Sequence, residues 1–315
     1  MFVFFIYTLT GCMNENDFSS HELIDAEEMA SLNSEQLFYD EEEELHLLNE
    51  NLKQLCSEYE SIQPKSSNFH FKKWFKFAIT LLSDVVSGAV SFVASGGNPS
   101  IAVTTGAVCS GATYLVMDAV EQNTAYHGAN HVSQCLNQVV INTGSTGLNI
   151  NDSIGYMHNY IIYYALQDSV KRSVLASVAT DSITVSRINS IVPGYSLLVN
   201  HYQTGNITSV YGTLDHFIDS APIAYSYEEY TDSVCLQNVI NSSELQTYID
   251  YVDKIARMES NSTILSFTQN VIQLVSNSNL SNTTKIRIIS CIIIGYASSQ
   301  LWDKNGWIDD DNQTE

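Results

Sequence analysis

From Leu37 the apolar residues fall into helical register. Leu45, Leu48, Leu52, Leu55 and Tyr59 are spaced three, four, three and four, which places them on one seam of a helix. The spacing predicts an amphipathic helix over 37–62, and so short a seam packs on a larger body rather than forming a coiled coil of its own. Gln63-Pro64-Lys65-Ser66-Ser67 breaks the pattern and marks the first boundary.

Beyond it, Phe69-His70-Phe71-Lys72-Lys73-Trp74-Phe75-Lys76-Phe77 mixes aromatics with the chain's densest basic cluster and leads into two apolar stretches, Ala78 to Ser95 and Ser100 to Val120. Gly96-Gly97-Asn98-Pro99 between them is a stop and turn signal, so the pattern predicts a helical hairpin over 74–120. Small residues recur every fourth position, at Ser83, Ser87, Ser91 and Ser95 in the first arm and at Ala102, Gly106 and Ser110 in the second. Side chains four apart share one helix face, so Ser87, Ser91, Ala102, Gly106 and Ser110 are the candidate packing residues along which the arms approach.

Arms this apolar are buried either in a protein core or in a bilayer. Each is near the roughly 20 residues needed to span, and the aromatic and lysine cluster resembles an interfacial anchor. Asp84 within the first arm and Asp118 near the end of the second oppose insertion: a central Asp costs about 2.5–3.5 kcal/mol, against about 0.3–0.6 returned by each Leu, Ile, Val or Phe. A soluble bundle is the leading expectation, provided the carboxylates reach its surface or a partner.

The remainder reads as helical. Apolar spacing runs from His131 to Val140, and Thr143 to Asn151 is a loop. Asp152-Ser153 is placed to cap a helix carrying Ile154, Met157, Ile161 and Tyr164, and Asp181-Ser182 a shorter one ending before Pro193-Gly194. Asn241 with Glu244 resembles a capping box ahead of Leu245, Tyr248, Ile249, Val252 and Ile255. The Ile-rich stretch Asn282 to Trp302 is too long for a strand and is expected to be a helix. Residues 205–240 give the weakest pattern, and no fixed-period repeat is found. The fold class expected is mainly α: a helical bundle around the small-residue hairpin, within a domain spanning 69–302.

The N-terminal end changes the picture. Phe2 to Leu9 is a short apolar run leading into Leu9-Thr10-Gly11-Cys12, an aliphatic residue, two small ones and a cysteine. That is a lipobox, which predicts a signal peptide over 1–11 and acyl chains, palmitate among them, on Cys12. The missing Lys or Arg before the apolar run departs from the usual signal. Residues 12–36 read as an acidic tether, and from Met13 to Glu60 the only Lys or Arg is Lys53. A formal net charge of −22 removes nucleic acid from the partners, because such binders need Lys and Arg to displace counterions from phosphates. The 44% hydrophobic content and only 4 prolines fit a folded body.

Candidate chemistry is sparse. After Cys12 there remain Cys56, Cys109, Cys135, Cys235 and Cys291, an odd number without paired spacing, leaving open buried free thiols or one bridge with leftovers. His127 and His131 are four apart, but no Glu follows His127, so the metalloprotease pattern fails. No Gly-x-Ser-x-Gly elbow, phosphate loop or cofactor motif is present. The terminal Asp303-Lys304-Asn305-Gly306-Trp307-Ile308-Asp309 resembles the middle of a calcium loop, with Asp303, Asn305 and Asp309 as ligands. Leu301 and Asn312 stand where the first and the bidentate ligand belong, so the reading preferred for 303–315 is an acidic tail. Asp-Ser before an aliphatic residue or Ala occurs at Ser153, Ser169, Ser182, Ser220 and Ser233, a pattern shared by O-glycosylation acceptors of exported Bacteroidetes proteins and by capped helix starts.

The lipobox, the small-residue hairpin after the Lys and Trp cluster, Gly155-Tyr156-Met157-His158-Asn159 and the ending Ala297-Ser298-Ser299-Gln300-Leu301-Trp302 together resemble a family of uncharacterised Bacteroidetes lipoproteins. Glu15 and Asp17 resemble the acidic signal that sends such lipoproteins to the cell surface. The resemblance implies an outer-membrane location, possible cell-surface exposure and a membrane partner through the lipid, but no activity. Within it, His158 beside Met157 and Ile161 invites a catalytic role with no nucleophile identified, and a satisfied core histidine is the preferred reading. Three classes of function are carried forward: a non-catalytic surface binding or structural lipoprotein first, a membrane-active hairpin second, an enzyme third.

Overall fold

The computed structural model describes residues 34–60, 71–119, 139–201, 207–258 and 260–302. All regular structure among them is helical: α1 (Ser34–Glu60), α2 (Phe71–Ala94), α3 (Pro99–Ala119), α4 (Ile154–Gln167), α5 (Ser169–Asp181), α6 (Val185–Ile191), α7 (Tyr195–His201), α8 (Tyr211–Ser220), α9 (Tyr227–Cys235), α10 (Ser242–Arg257), α11 (Asn261–Asn277) and α12 (Asn282–Leu301). They pack as a helical bundle around one shared core.

The turn between α2 and α3 forms as its residues dictate. Gly96 and Gly97 take φ of 69° and 92°, a left-handed path that any larger residue adopts only under strain, and their N–H groups donate back to Val93 and Phe92 carbonyls at 3.1 and 2.8 Å. Asn98 then caps α3, its Oδ1 accepting from Ser100 and Ile101 N–H at 3.0 and 3.3 Å, and Pro99 occupies the first helical position where its missing N–H costs nothing. The chain reverses here and the two helices run antiparallel: Ser83 meets Thr113 at 2.8 Å between hydroxyls, and Gly106 lies against the Asp84 carbonyl and the Gly88 Cα.

The small residues of this pair serve more than one neighbour. Ser87, Ser91 and Ala102 are buried, and at Gly106 the arms approach closely. Ser110 instead accepts a 3.0 Å hydrogen bond from Trp302 Nε1 at the end of α12, and Trp302 stacks on Tyr114 with ring centroids 4.2 Å apart. Ser95 turns back on its own turn, donating to Phe92 O and accepting from Asn98 N–H. The expected stripe is therefore divided among the α2–α3 contact, α12 and the turn, because α12 also packs on this pair.

Helix α12 contacts α2, α4, α10 and α11. Its Gly295 permits that crowding: a Cβ there would stand 2.8 Å from Val85 Cγ2 and 3.1 Å from a Tyr251 ring carbon. The Ile-rich stretch is a helix as expected, capped by Ser281 through the Thr284 N–H. On another flank, α5 lies against α3 where Gly111 leaves room for Leu175.

Helix α1 packs on α10 and α11 and adds Leu45, Leu48 and Leu52 to the common core, with Leu55 and Tyr59 at its edge, as the three-and-four spacing predicts. Polar contacts set its register: Asn49 donates to Ser243 O at 2.7 Å and accepts from Thr247 Oγ1 at 2.6 Å, while Glu41 accepts from Ser281 and Thr284 and Glu44 from Asn279.

Several predicted caps are corrected. The Asp152 carboxylate is taken by the N–H and hydroxyl of Thr143, at 2.8 and 2.6 Å, so Asp152-Ser153 gives α4 no side-chain cap. Helix α6 is capped by Thr184, and Asp181 closes α5 and pairs with Arg187. Asn241 does cap α10, but Glu244 turns away from the box toward Arg287 and Tyr248. The competing partner lies outside the expected cap each time: Thr143 for Asp152, Arg187 for Asp181 and, 43 residues away, Arg287 for Glu244. Of the segment predicted helical from His131 to Val140, residues 131–138 lie outside the described residues, and Val139 and Val140 are not in a helix. The weakly patterned 205–240 contains α8 and α9.

Two outcomes follow from this packing. Gly155→Ala places a Cβ 2.7 Å from the Val139 carbonyl and 3.1 Å from Ala297 Cβ, and should lower stability by about 1–3 kcal/mol in urea unfolding, whereas Gly212→Ala, with nothing within 4 Å, should not. Burial works to raise the Glu41 pKa, but the hydrogen bonds from Thr284 and Ser281 and the nearby Arg287 prevail and hold it below the ordinary 4.5. A depressed carboxylate stabilises above its unfolded value, and the gain is lost as pH falls through the folded one. The urea midpoints of the parent and Glu41→Gln should therefore differ at pH 6 and converge in strong acid.

Candidate functional site

The one charged side chain of α2 between Phe77 and Ala94 is Asp84, and it is wholly enclosed. His158 Nε2 of α4 meets its carboxylate, 2.9 Å from Oδ1 and 2.8 Å from Oδ2, with the directed hydrogen bond falling on Oδ1. The other ring nitrogen, Nδ1, is 2.8 Å from Asn159 Oδ1, and Asn159 Nδ2 donates to the Ala297 carbonyl of α12 at 2.9 Å. Asp84, His158 and Asn159 all have 0% exposure. Three helices that share no sequence neighbourhood thus meet in one hydrogen-bonded chain.

Local sequence explains why the chain closes. Gly155 lets α4 approach α12 at Ala297 and Ile293, and Asn159, four residues on along the same face, is thereby brought within reach of the Ala297 carbonyl. On the far side, Gly106 leaves room beside the Asp84 carbonyl and carboxylate, each 3.1 Å from where a Cβ would stand.

Donor and acceptor roles then follow by elimination. A backbone carbonyl only accepts, so the Asn159 amide nitrogen must face Ala297 and its oxygen must face His158, which requires a hydrogen on Nδ1. Nε2 faces a carboxylate. The Asp84–His158 pair therefore holds two hydrogens: both on the ring against an ionised carboxylate, or one on Nδ1 and one on the Asp84 carboxyl.

Two buried thiols lie near Asp84. Burial pushes Cys109 up to about 12, the Ser87 hydroxyl working against the shift and the Asp84 charge adding to it. Burial raises Cys291 as well, with Glu244 and Asp84 adding to it. Both are thiols at neutral pH and poor nucleophiles. Cys109, Cys235 and Cys291 are free, with Cys235 exposed; Cys56 is half-buried, and Cys135 lies outside the described residues.

The remaining expected residues separate by exposure. Ser153 and Ser169 are exposed, Ser182 half-buried. Ser220 is buried and its hydroxyl donates to the His216 carbonyl at 2.7 Å, so a glycan there would have to displace α8 from its packing. Ser233, half-buried, lies 2.8 Å from His216 Nε2. Asp168 before Ser169 caps α5 through the N–H groups of Val170 and Lys171, the helix-start reading of that pattern. Cys12, Asp303, Asn305, Asp309, His127 and His131 lie outside the described residues. Among the described residues no group of three His, Cys, Asp or Glu is placed to hold a metal.

Asp84 was legible as a charge in an apolar arm that had to reach the surface or a partner and His158 as a core histidine, but their pairing, 74 residues apart, was not. The available signal was that each needed a partner. Glu244, read from sequence only as part of a capping box, centres a second polar cluster: 1% exposed, it accepts from Arg287 Nε and Nη2 at 2.7 and 2.5 Å and from Tyr248 at 2.7 Å, at the edge of a cleft of about 450 Å³.

Removing one partner of a buried pair strands the other. His158→Ala and Asp84→Ala should each cost about 3–5 kcal/mol in urea unfolding, and the double variant should cost clearly less than their sum. Additive losses would mean that the pair makes no joint contribution. Set against known proteins, no family model, no curated protein and no solved structure matches this chain.

Proposed function

We propose that this chain is an exported lipoprotein, held at the outer membrane by acyl chains on Cys12, whose helical body acts as a non-catalytic binding or structural module. The observation that carries this reading is the fate of the apolar pair. Of the membrane-length windows Trp74–Ala94 and Pro99–Met117, 89% and 78% is enclosed within the body, so the chain's most lipid-like surface is spent on its own core. A body so arranged suits a position beside the bilayer, with attachment left to lipid. The Leu9-Thr10-Gly11-Cys12 motif supplies that attachment, and the resemblance to Bacteroidetes lipoproteins supports the same location.

The non-catalytic part rests on the character of the central cluster. His158 is the residue most open to a catalytic reading, yet both its nitrogens are engaged at zero exposure, and it joins α2, α4 and α12. Such a histidine serves cohesion. The surface charge of a chain at −22 favours cationic or neutral partners over nucleic acid.

Metabolic labelling with a fatty acid tests the anchor. Label and outer-membrane fractionation are expected in the parent chain, and both should vanish with Cys12→Ala; label that persists in the variant would sink the proposal.

A further inference from the structure

An apolar helix does not by itself distinguish a protein core from lipid, whose tails are as apolar as leucine. The difference lies in the polar groups the helix carries. Helices α2 and α3 are each long and apolar enough to cross a bilayer. They are tied to each other: Gly106 lies on the Asp84 main chain, and Ser83 with Thr113 closes a hydrogen bond inside the pair. On α2 the buried hydroxyls of Thr80 and Ser91 make no hydrogen bond within the body, so they lose nothing by leaving it. Asp84 differs, because its carboxylate is satisfied by His158, which belongs to α4, and through Asn159 by the backbone of α12.

We propose that the Asp84–His158–Asn159 chain is an autoinhibitory latch: it retains in the soluble body a helix pair otherwise competent to enter a lipid bilayer. Asp84 acts twice. Within the body its carboxylate binds the pair to α4 and α12, and outside the body the same unpartnered charge opposes entry into hydrocarbon. The α3 contacts of Ser110 with Trp302 and Thr105 with Tyr195 join neutral groups, so the ionic part of release lies in the loss of His158 and the neutralisation of Asp84. This deepens the proposed function, since a lipid at Cys12 would hold the latch beside a bilayer, but the latch itself does not depend on lipidation.

The two roles of Asp84 are separable by substitution. Asp84→Leu opens the latch and removes the barrier to insertion, whereas His158→Leu opens the latch and leaves the barrier. Each is made in the full chain carrying Cys12→Ser, so that acylation plays no part, and is diluted from urea either into buffer or directly into calcein-loaded phosphatidylcholine vesicles. A variant unable to fold in buffer still reports on entry into lipid. The Cys12→Ser parent should stay out of the floated vesicle fraction and release no dye. Asp84→Leu should float and release calcein, with a partition on the order of a hundredfold above that of His158→Leu, the ratio expected from removing one central carboxylate. The latch is refuted if Asp84→Leu stays in the soluble fraction like the parent. It is equally refuted if His158→Leu enters vesicles as strongly, because exposure of core would then account for binding without any role for the charge.

Discussion

A carboxylate in the middle of an apolar helix has to be matched by a donor that comes with it into the core, and in this protein that requirement joins α2 to α4 through Asp84 and His158. An isolated charge taken out of water is penalised by several kcal/mol. Coulombic attraction and directed hydrogen bonds offset that penalty only when the geometry is tight. The 2.8 and 2.9 Å contacts of His158 Nε2 meet the condition, and Asn159 passes it onward by fixing the other ring nitrogen and tying itself to the Ala297 carbonyl. The polar chain thereby gives α2, α4 and α12 a directed point of contact in addition to their apolar packing.

Close approach is the second condition, and small residues provide it. Gly155 against Val139 and Ala297 and Gly295 against Val85 and Tyr251 are positions where a methyl group would collide, and at Gly106 against Asp84 it would be a tight fit. Each stands beside one of the three helices joined by the polar chain. The short distances of the cluster and the absence of side chains at these glycines are one design, since a helix held an ångström farther away would lengthen the Asp84–His158 or the Asn159–Ala297 hydrogen bond that joins it to α4.

Away from the centre, polar contacts are used differently. Helix α1 is an amphipathic cover whose leucines enter the common core, while its carboxylates at Glu41 and Glu44 are received by Ser281, Thr284 and Asn279 around the start of α12. Glu244 and Arg287 lock α10 to α12 nearby. Acidic residues that look like a solvated face in the primary structure are thus partly spent on attaching the outer helix, which explains how a chain of net charge −22 keeps so many carboxylates close to its body.

Three-and-four spacing along α1 and α10 was sufficient to predict helices there, and the length of the Ile-rich stretch did the same for α12, because periodicity and length are properties of neighbouring residues and need no knowledge of what covers them. The Gly96-Gly97-Asn98-Pro99 turn was equally local: left-handed glycines, an Asn cap and a proline at the first helical position act within four residues. Caps were legible only where no stronger acceptor or donor competed. Asn241 caps α10 as its sequence suggests, but Asp152 is claimed by Thr143 and Glu244 by Arg287, and neither competitor is visible from the cap itself. The same holds at the centre. That Asp84 and His158 each required a partner could be argued from burial in apolar surroundings, yet that they are each other's partner was decided by the tertiary structure. Sequence determined the helices, their apolar faces and the small residues that let them approach. Only folding determined which polar groups meet, because hydrogen bonds between helices depend on distances that spacing along one chain does not encode.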